Sequence, residues 1–417
     1  NNRERFVSKT KRNSLAVFNS NDIYNTGADS TLPFTQHRDI FHLSGVDQEE
    51  SVLVIFPDCK NKLHREILFL KETSEHIAVW EGEKLTKERA TELSGIKTIY
   101  WLDQFETIFR QLVIESESVY LNSNEHLRTS NSMETREDRF VKKFISDFPI
   151  HPTLRVAPIM HQIRSVKDSI EIEIMKRACD ITEKGFRRIL SFIKPGVMEY
   201  EIEAELMHEF LFNRSKGFAY TPIIASGKSA CVLHYIENNK TCKNGDIILM
   251  DFGAEYANYA SDLTRCVPVN GKFTSRQKEV YNSVLRVKNE ATKLLNPGVF
   301  LNDYHKEVGK LMEEELLKLN LISSKDIQNQ DSKWPAYKKY FMHGTSHYIG
   351  LDTHDVGSWT EPIEENMVFT VEPGIYIPEE GIGIRLEDDV VVQKNSAPKN
   401  LMENIPIEAE EIEDLMN

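Results

Sequence analysis

"MDFGAEYANYASD", residues 250–262, decides how the second half of this chain is read. It contains Asp-Phe-Gly, the triplet that holds Mg²⁺ in protein kinases. That triplet has meaning only behind a Gly-rich loop, a Val-Ala-Ile-Lys strand and a His-Arg-Asp loop, and the chain has none of them. Spacing is the better guide. Ile247, Ile248, Leu249 and Met250 read as a buried strand, and Ala260 to Val269 as a second. Glu255, Tyr256, Ala257 and Asn258 between them form a hairpin tip. Folding about the point between Tyr256 and Ala257 sets Asp251 opposite Asp262. Opposed residues share a face, with Cβ atoms roughly 4.5–5.5 Å apart. Two carboxylates that close repel unless a cation lies between them. Two solvated hairpin acids would give the same pattern, so the stretch alone leaves both readings open.

The region around this stretch repeats itself. A long helix is capped by Asp168 with Glu171 three residues on. It carries Ile170, Ile174, Ala178 and Ile181 at helical spacing and stops at Pro195-Gly196. Another helix starts around Tyr200. Further along, a helix from Ser275 ends in Asn296-Pro297-Gly298-Val299, and one more starts around Tyr304. Each helix pair is followed by a β-rich stretch with acids. In the second half these are Glu372, in "VFTVEPGIYI", and Glu387, in "GIGIRLEDDVVV". Their midpoint falls inside the Pro378-Glu379-Glu380-Gly381 turn, so they too oppose each other across a hairpin, barring a bulge. Two similar halves, each offering a carboxylate pair, imply a pseudo-twofold site.

Composition sets the outer bounds. The chain has 417 residues, 40% hydrophobic and 28% charged, enough for two domains with their own cores. A net charge of −14 and the lack of a dense basic run argue against nucleic acid. No apolar run approaches the roughly 18–20 residues of a membrane span. Asn1 to Arg5 does not read as a signal peptide, and a leader removed before residue 1 stays open. Five scattered cysteines (59, 179, 231, 242 and 266) suit free thiols in a reducing cytoplasm. The first part mixes strands (Ser14–Phe18, Ser51–Phe56, Glu66–Leu70, Val119–Asn122) with helices (Phe105–Ile114, Glu137–Phe148). Pro149–Pro158, with three prolines, reads as a linker. The expected domains are therefore an α/β domain over 1–160 and a second domain over 161–417.

Four acids need cations, and imidazoles stand nearby. "MHGTSHYIGLDTHDVG" offers His343, His347 and His354. His343 and His347 have the spacing of the zinc-protease motif His-Glu-x-x-His, but Gly344 takes the place of Glu and Gly350 disfavours a long helix. Carboxylate and imidazole donors without thiolates suit Mn²⁺, Co²⁺, Fe²⁺ or Zn²⁺. A pair of such ions roughly 3.5–4 Å apart activates water and polarises a carbonyl, which is hydrolytic chemistry.

On these residues the chain resembles the pita-bread metallopeptidases, aminopeptidase P and Xaa-Pro dipeptidase above all, over nearly its whole length. The resemblance implies an α/β (α+β) architecture: a creatinase-like α/β N-terminal domain and a pseudo-twofold pita-bread domain. It implies two divalent ions, Mn²⁺ foremost, with Zn²⁺, Co²⁺ or Fe²⁺ as alternatives. Asp262 and Glu387 would bridge them, Asp251 would complete one, and His347 with Glu372 the other. Glu372 would also accept the proton of the attacking water. His234, in "VLHYIEN", and His354 would border the scissile carbonyl, and His343 the proline side. Arg385 would organise the pocket with Tyr376 and with Asp29 of the first domain. Trp80, in "HIAVWEGEKL", resembles a Trp lent across a subunit interface, which implies a homodimer or homotetramer. The implied substrate is a peptide with proline in second position, cut before the proline. Xaa-Pro dipeptidase and a catalytically silent peptide-binding relative are the alternatives. Methionine aminopeptidase lacks the large N-terminal domain, and creatine-type hydrolases do not use this metal set.

Overall fold

The computed structural model describes residues 2–126, 128 and 133–417. The chain divides into two compact units, Asn1–Arg164 and Ser165–Asn417. In the first unit six strands form one sheet: β1 (Ser14–Asn19), β2 (Val52–Ile55), β3 (Glu66–Leu70), β4 (Thr98–Trp101), β5 (Ser118–Leu121) and β6 (Thr153–Arg155), in the order β4-β3-β2-β1-β5-β6. β1–β2 and β2–β3 are antiparallel and the other pairs parallel. Both faces of the sheet are covered. Ala16, Phe18, Leu53, Ile55, Leu68 and Leu70 face one apolar cluster. Leu15, Val17, Val52, Val54, Ile67 and Phe69 face the other, with Phe105, Phe109 and Phe144. Burial on both faces explains why these strands read as apolar runs rather than alternating ones.

Pro149–Pro158 is not a linker. It contains β6, which pairs with β5 from Val119↔Thr153 to Leu121↔Arg155. Prolines are compatible with such an edge strand, whose free side needs no donor. Helix Arg136–Asp147 is capped by Thr135 with Asp138. Beside the cap, buried Glu137 accepts the Asn19 backbone N–H at 2.9 Å and its side-chain amide at 2.8 Å.

The second unit is built twice over. Helices Ser169–Phe192 and Glu199–Phe212 precede β7 (Ile223–Ser226), β8 (Ile247–Phe252), β9 (Glu255–Tyr256), β10 (Tyr259–Ala260) and β11 (Leu263–Pro268). Helices Ser275–Leu294 and Leu301–Lys318 precede β12 (Val368–Val371), β13 (Gly374–Ile377), β14 (Ile382–Arg385), β15 (Asp388–Val391) and β16 (Lys399–Asn400). Asp168 accepts the N–H groups of Ile170 and Glu171, and Glu171 returns the bond to Asp168 N, completing the capping box. Along this helix, Ile170 is 64% exposed and Ile174 half-buried, while Ala178 and Ile181 are buried as expected, joined by Met175, Cys179, Thr182 and Phe186. The expected stripe holds except at its first residue.

Both hairpins form, and their registers differ in how they meet expectation. In the second, Val371 opposes Asp388 and Gly374 opposes Arg385. The count continues without a bulge, which sets Glu372 opposite Glu387. In the first, Tyr256 opposes Tyr259 and Asp251 opposes Thr264. The turn is Ala257-Asn258, both left-handed at φ 51° and 70°, a type I′ pair that matches strand twist. It lies one residue beyond the expected fold point, so Asp262 is diagonal to Asp251 rather than directly opposite. A register change of two keeps a residue on the same face, and the two carboxylates stay together. The glycine of Asp-Phe-Gly is also explained: a Cβ on Gly253 would lie 1.7 Å from the Ser261 carbonyl oxygen.

Candidate metal and catalytic site

The site is assembled on the two hairpins of the second unit. Asp251 is the penultimate residue of β8, Asp262 precedes β11, Glu372 links β12 to β13, and Glu387 links β14 to β15. The halves are tied together by a bridge between Thr264 and Glu387, where Glu387 N donates to Thr264 O at 3.1 Å. The Thr264 hydroxyl in turn donates to Glu387 Oε2 at 2.6 Å. His347 arrives on a segment lying along β12. Thr370 N donates to His347 O at 3.1 Å, and Glu372 N to Thr345 O at 2.8 Å.

Asp262, His347 and Glu387, all buried, each turn a donor atom to one point, those atoms lying within 4.8 Å of one another. His347 Nε2 is 3.5 Å from Asp262 Oδ2 and 3.7 Å from Glu372 Oε1. His347 Nδ1 lies 3.0 Å from the Tyr348 carbonyl, which fixes its proton there and leaves the Nε2 lone pair facing the acids. Tyr220 spans the first acid pair, its hydroxyl 2.6 Å from Asp251 Oδ1 and 2.5 Å from Asp262 Oδ1.

Crowding of acids perturbs their protonation. Burial, then the charge of Asp251, pushes Asp262 well above the usual carboxylate range. Burial, then Asp262, does the same for Glu387. Glu372 is pushed up to about 7 by burial, with His347 and Arg385 pulling the other way. A bound cation would relieve this crowding by taking the place of protons on these acids. Convergent oxygen and imidazole donors without thiolate fit a divalent ion of the Mn²⁺ to Zn²⁺ series.

Around this centre, Arg385 donates to Thr264 Oγ1 at 3.2 Å, to Tyr376 Oη at 2.8 Å and to Asp251 Oδ2. The Tyr376 hydroxyl meets His343 Nε2 at 2.8 Å, while His343 Nδ1 lies 2.7 Å from the Gly344 carbonyl and 3.6 Å from Glu372 Oε2. Burial, then Arg385, pushes His343 down to about 3, so the ring is neutral. His354 is exposed, its ring centroid 4.0 Å from that of His347. His234 is exposed after the turn Gly227–Cys231, close enough for its charge to act on His343.

The second unit thus gathers Asp251, Asp262, His347, Glu372, Glu387, His343, His354, Tyr376 and Arg385. Asp29 and Trp80 belong to the first unit. Asp29 is on an exposed bend, and Trp80 is 77% exposed on helix Glu75–Glu81. Residues 173–394 match the model of metallopeptidase family M24, and residues 1–120 that of the aminopeptidase P N-terminal domain.

The chain belongs to metallopeptidase family M24. It is 32% identical to the Xaa-Pro aminopeptidase of Escherichia coli K12 over 99% of this chain and 96% of that one. It is 30% identical to human Xaa-Pro aminopeptidase 3, covering 95% and 79%. Among solved structures, Pseudomonas aeruginosa aminopeptidase PepP superposes with a TM-score of 0.91 at 30% identity, over 100% of this chain and 96% of that one. Zinc-substituted Escherichia coli aminopeptidase P in complex with product gives 0.90 at 31%, with the same coverage. This M24 chain therefore has the two-domain α+β architecture expected, an aminopeptidase P N-terminal domain followed by a pita-bread domain, and is a metallopeptidase.

Three residues at the M24 site were not anticipated. Thr264 lies opposite Asp251, where the expected register sets Asp262. Tyr220 comes from "FAYTP", ahead of β7, with no nearby acid in sequence. His305 lies on helix Leu301–Lys318, and burial, with the nearby His347 adding to it, pushes it down to about 4. An isolated histidine in a charged helix carries no signal of its own.

Proposed function

We propose that this M24 member is a dinuclear metal-dependent aminopeptidase that releases the N-terminal residue from peptides with proline second. The observation that carries it is the convergence of Asp251, Asp262, His347, Glu372 and Glu387 on one side of two paired hairpins. Asp262 and Glu387 would be shared between two ions, Mn²⁺ foremost, with Asp251 completing one and His347 with Glu372 the other. When bound, such a pair supplies a water reactive at neutral pH and a Lewis acid for the carbonyl. The chain's own groups do the rest. Glu372 accepts the proton of the attacking water at a carboxylate oxygen. His354 and His234, on the open side, donate hydrogen bonds to the oxygen of the scissile carbonyl. His343, held neutral and tied to Tyr376 and Arg385, flanks the proline ring.

An Xaa-Pro bond is a tertiary amide with no N–H, and imidazoles and metals make no demand for one. A dipeptidase must also bind the terminal carboxylate, which calls for a cation. Arg385, the nearest candidate, already donates from all three nitrogens to Thr264, Tyr376 and Asp251. That supports an open exit and a longer substrate. Cytoplasmic placement is part of the proposal, supported by five free cysteines; no described helix is long and apolar enough to cross a membrane.

The test is an assay of metal-reconstituted protein on Xaa-Pro-Yaa, Xaa-Pro and Xaa-Ala-Yaa peptides with metal content measured in parallel. The tripeptide with proline is expected to have the highest kcat/KM. Preference for the dipeptide would make the enzyme an Xaa-Pro dipeptidase, and metal uptake without hydrolysis would make it a binding protein.

A further inference from the structure

Helix Leu301–Lys318 reaches the short stretch that separates His343 from His347. His305 Nδ1 accepts the Thr345 N–H at 3.2 Å, and the Ser346 hydroxyl bonds to Tyr304 Oη at 3.0 Å. Thr345 is 1% exposed, so its N–H has no ready exchange with water. A buried N–H without a partner is costly enough that the backbone would move to find one. The Thr345 carbonyl is already engaged by Glu372 N at 2.8 Å. One residue is therefore held on opposite sides, by His305 and by the backbone of Glu372. His347 lies two positions on, with Tyr348 bridged to Phe369 of β12. The His305 ring is itself fixed. It stacks on Trp359 with centroids 6.3 Å apart at 20°, and a Cβ on Gly344 would sit 3.5 Å from it. Because Nδ1 accepts, the ring proton is on Nε2.

We propose that His305 is a positioning residue for the metal centre: its Nδ1 anchors Thr345, and through Thr345 it sets where His347 and Glu372 meet the ions. This rests on the metal-site assignment proposed above. Loss of a group that orients metal ligands costs about ten- to a hundred-fold in metal affinity or activity.

Two substitutions separate the acceptor from the ring. His305→Phe keeps an aromatic ring against Trp359 and removes the acceptor. His305→Asn removes the ring but places an amide oxygen as many bonds from Cα as Nδ1. Metal-stripped proteins are titrated with Mn²⁺ by calorimetry, with kcat and thermal unfolding measured beside it. The expected result is that the Phe variant unfolds cooperatively yet binds Mn²⁺ about ten- to a hundred-fold more weakly, while the Asn variant stays close to wild type. If the Phe variant does not fold, His305→Leu replaces it as the acceptor-free form. Undiminished Mn²⁺ affinity in the acceptor-free variant overturns the proposal, and so does equal loss in both variants, which would leave ring packing as the cause. Wild-type protein that takes up no Mn²⁺ would remove the metal centre, and this role with it. Wild-type binding with an insensitive Phe variant would overturn the His305 role alone.

Discussion

Asp262 joins both halves of the site. It meets the Tyr220 hydroxyl, lies beside His347, and its backbone N–H donates to Asp389 Oδ2 at 3.1 Å. Removing its carboxylate takes a donor from both proposed ions at once. Asp262→Ala is expected to lower metal content, measured by elemental analysis, and to abolish hydrolysis; full activity in a metal-poor Asp262→Ala protein would refute the ligand assignment. The acids were legible in sequence because both members of a pair lie on one hairpin, where a turn fixes the relation between them. Tyr220 was not, because its contact to Asp251 depends on how a loop folds back, and no periodicity encodes that. His305 was hidden for a similar reason, since its partner Thr345 is on another element.

At the level of the element, β8 and β11 show how a turn sets chemistry. The fold point was misjudged by one residue because Ala257 and Asn258 both adopt φ > 0. Asn does this readily and Ala rarely, so Ala257 concealed the turn. Glu372 and Glu387 were placed correctly because Gly381, at φ 66°, closes a turn whose chemistry is plain in sequence. β4 and β6 went unseen; they are short strands, and β6 lies among prolines. Gly253, where a Cβ would lie 1.7 Å from the Ser261 carbonyl oxygen, gives a direct test. Gly253→Ala would drive a methyl into the Ser261 carbonyl, and the only relief is separation of the strands that carry Asp251 and Asp262. A clear fall in melting temperature with loss of metal binding is expected, and a Gly253→Ala protein with wild-type Tm and metal content would contradict the register.

At the scale of the whole molecule, the first unit makes its own contribution to the pH dependence of stability, through Glu137. Burial pushes Glu137 up to about 8, against the two hydrogen bonds from Asn19. Its unfolded-state value is near the ordinary one of about 4.3. Between those limits the unfolded chain releases a proton that the folded chain retains, so stability falls as pH rises, by at most about 1.4 kcal/mol per pH unit. Glu137→Gln should flatten that slope between about pH 5 and 8, read from denaturant unfolding at several pH values; an unchanged slope would place the proton elsewhere. Assembly is tested separately. Trp80 and Val79 are 77% and 80% exposed on one short helix, an apolar pair that suits a subunit contact. Sizing with light scattering is expected to give a dimer or tetramer that Trp80→Ala weakens, and a fully active monomer would rule out a Trp80 lent across a subunit interface.

The bridge between Thr264 and Glu387 also bears on the order of events during synthesis. Asp251 and Asp262 leave the ribosome well before His347, Glu372 and Glu387, and the strip that joins the two halves cannot close until the last of these has emerged. A nascent chain stalled after helix Leu301–Lys318 owns one acid pair and none of His343, His347 and His354. It would be a poor scavenger of ions, whatever is free in the compartment. Proteolytic competence would then arrive only once Glu387 has emerged and met Thr264.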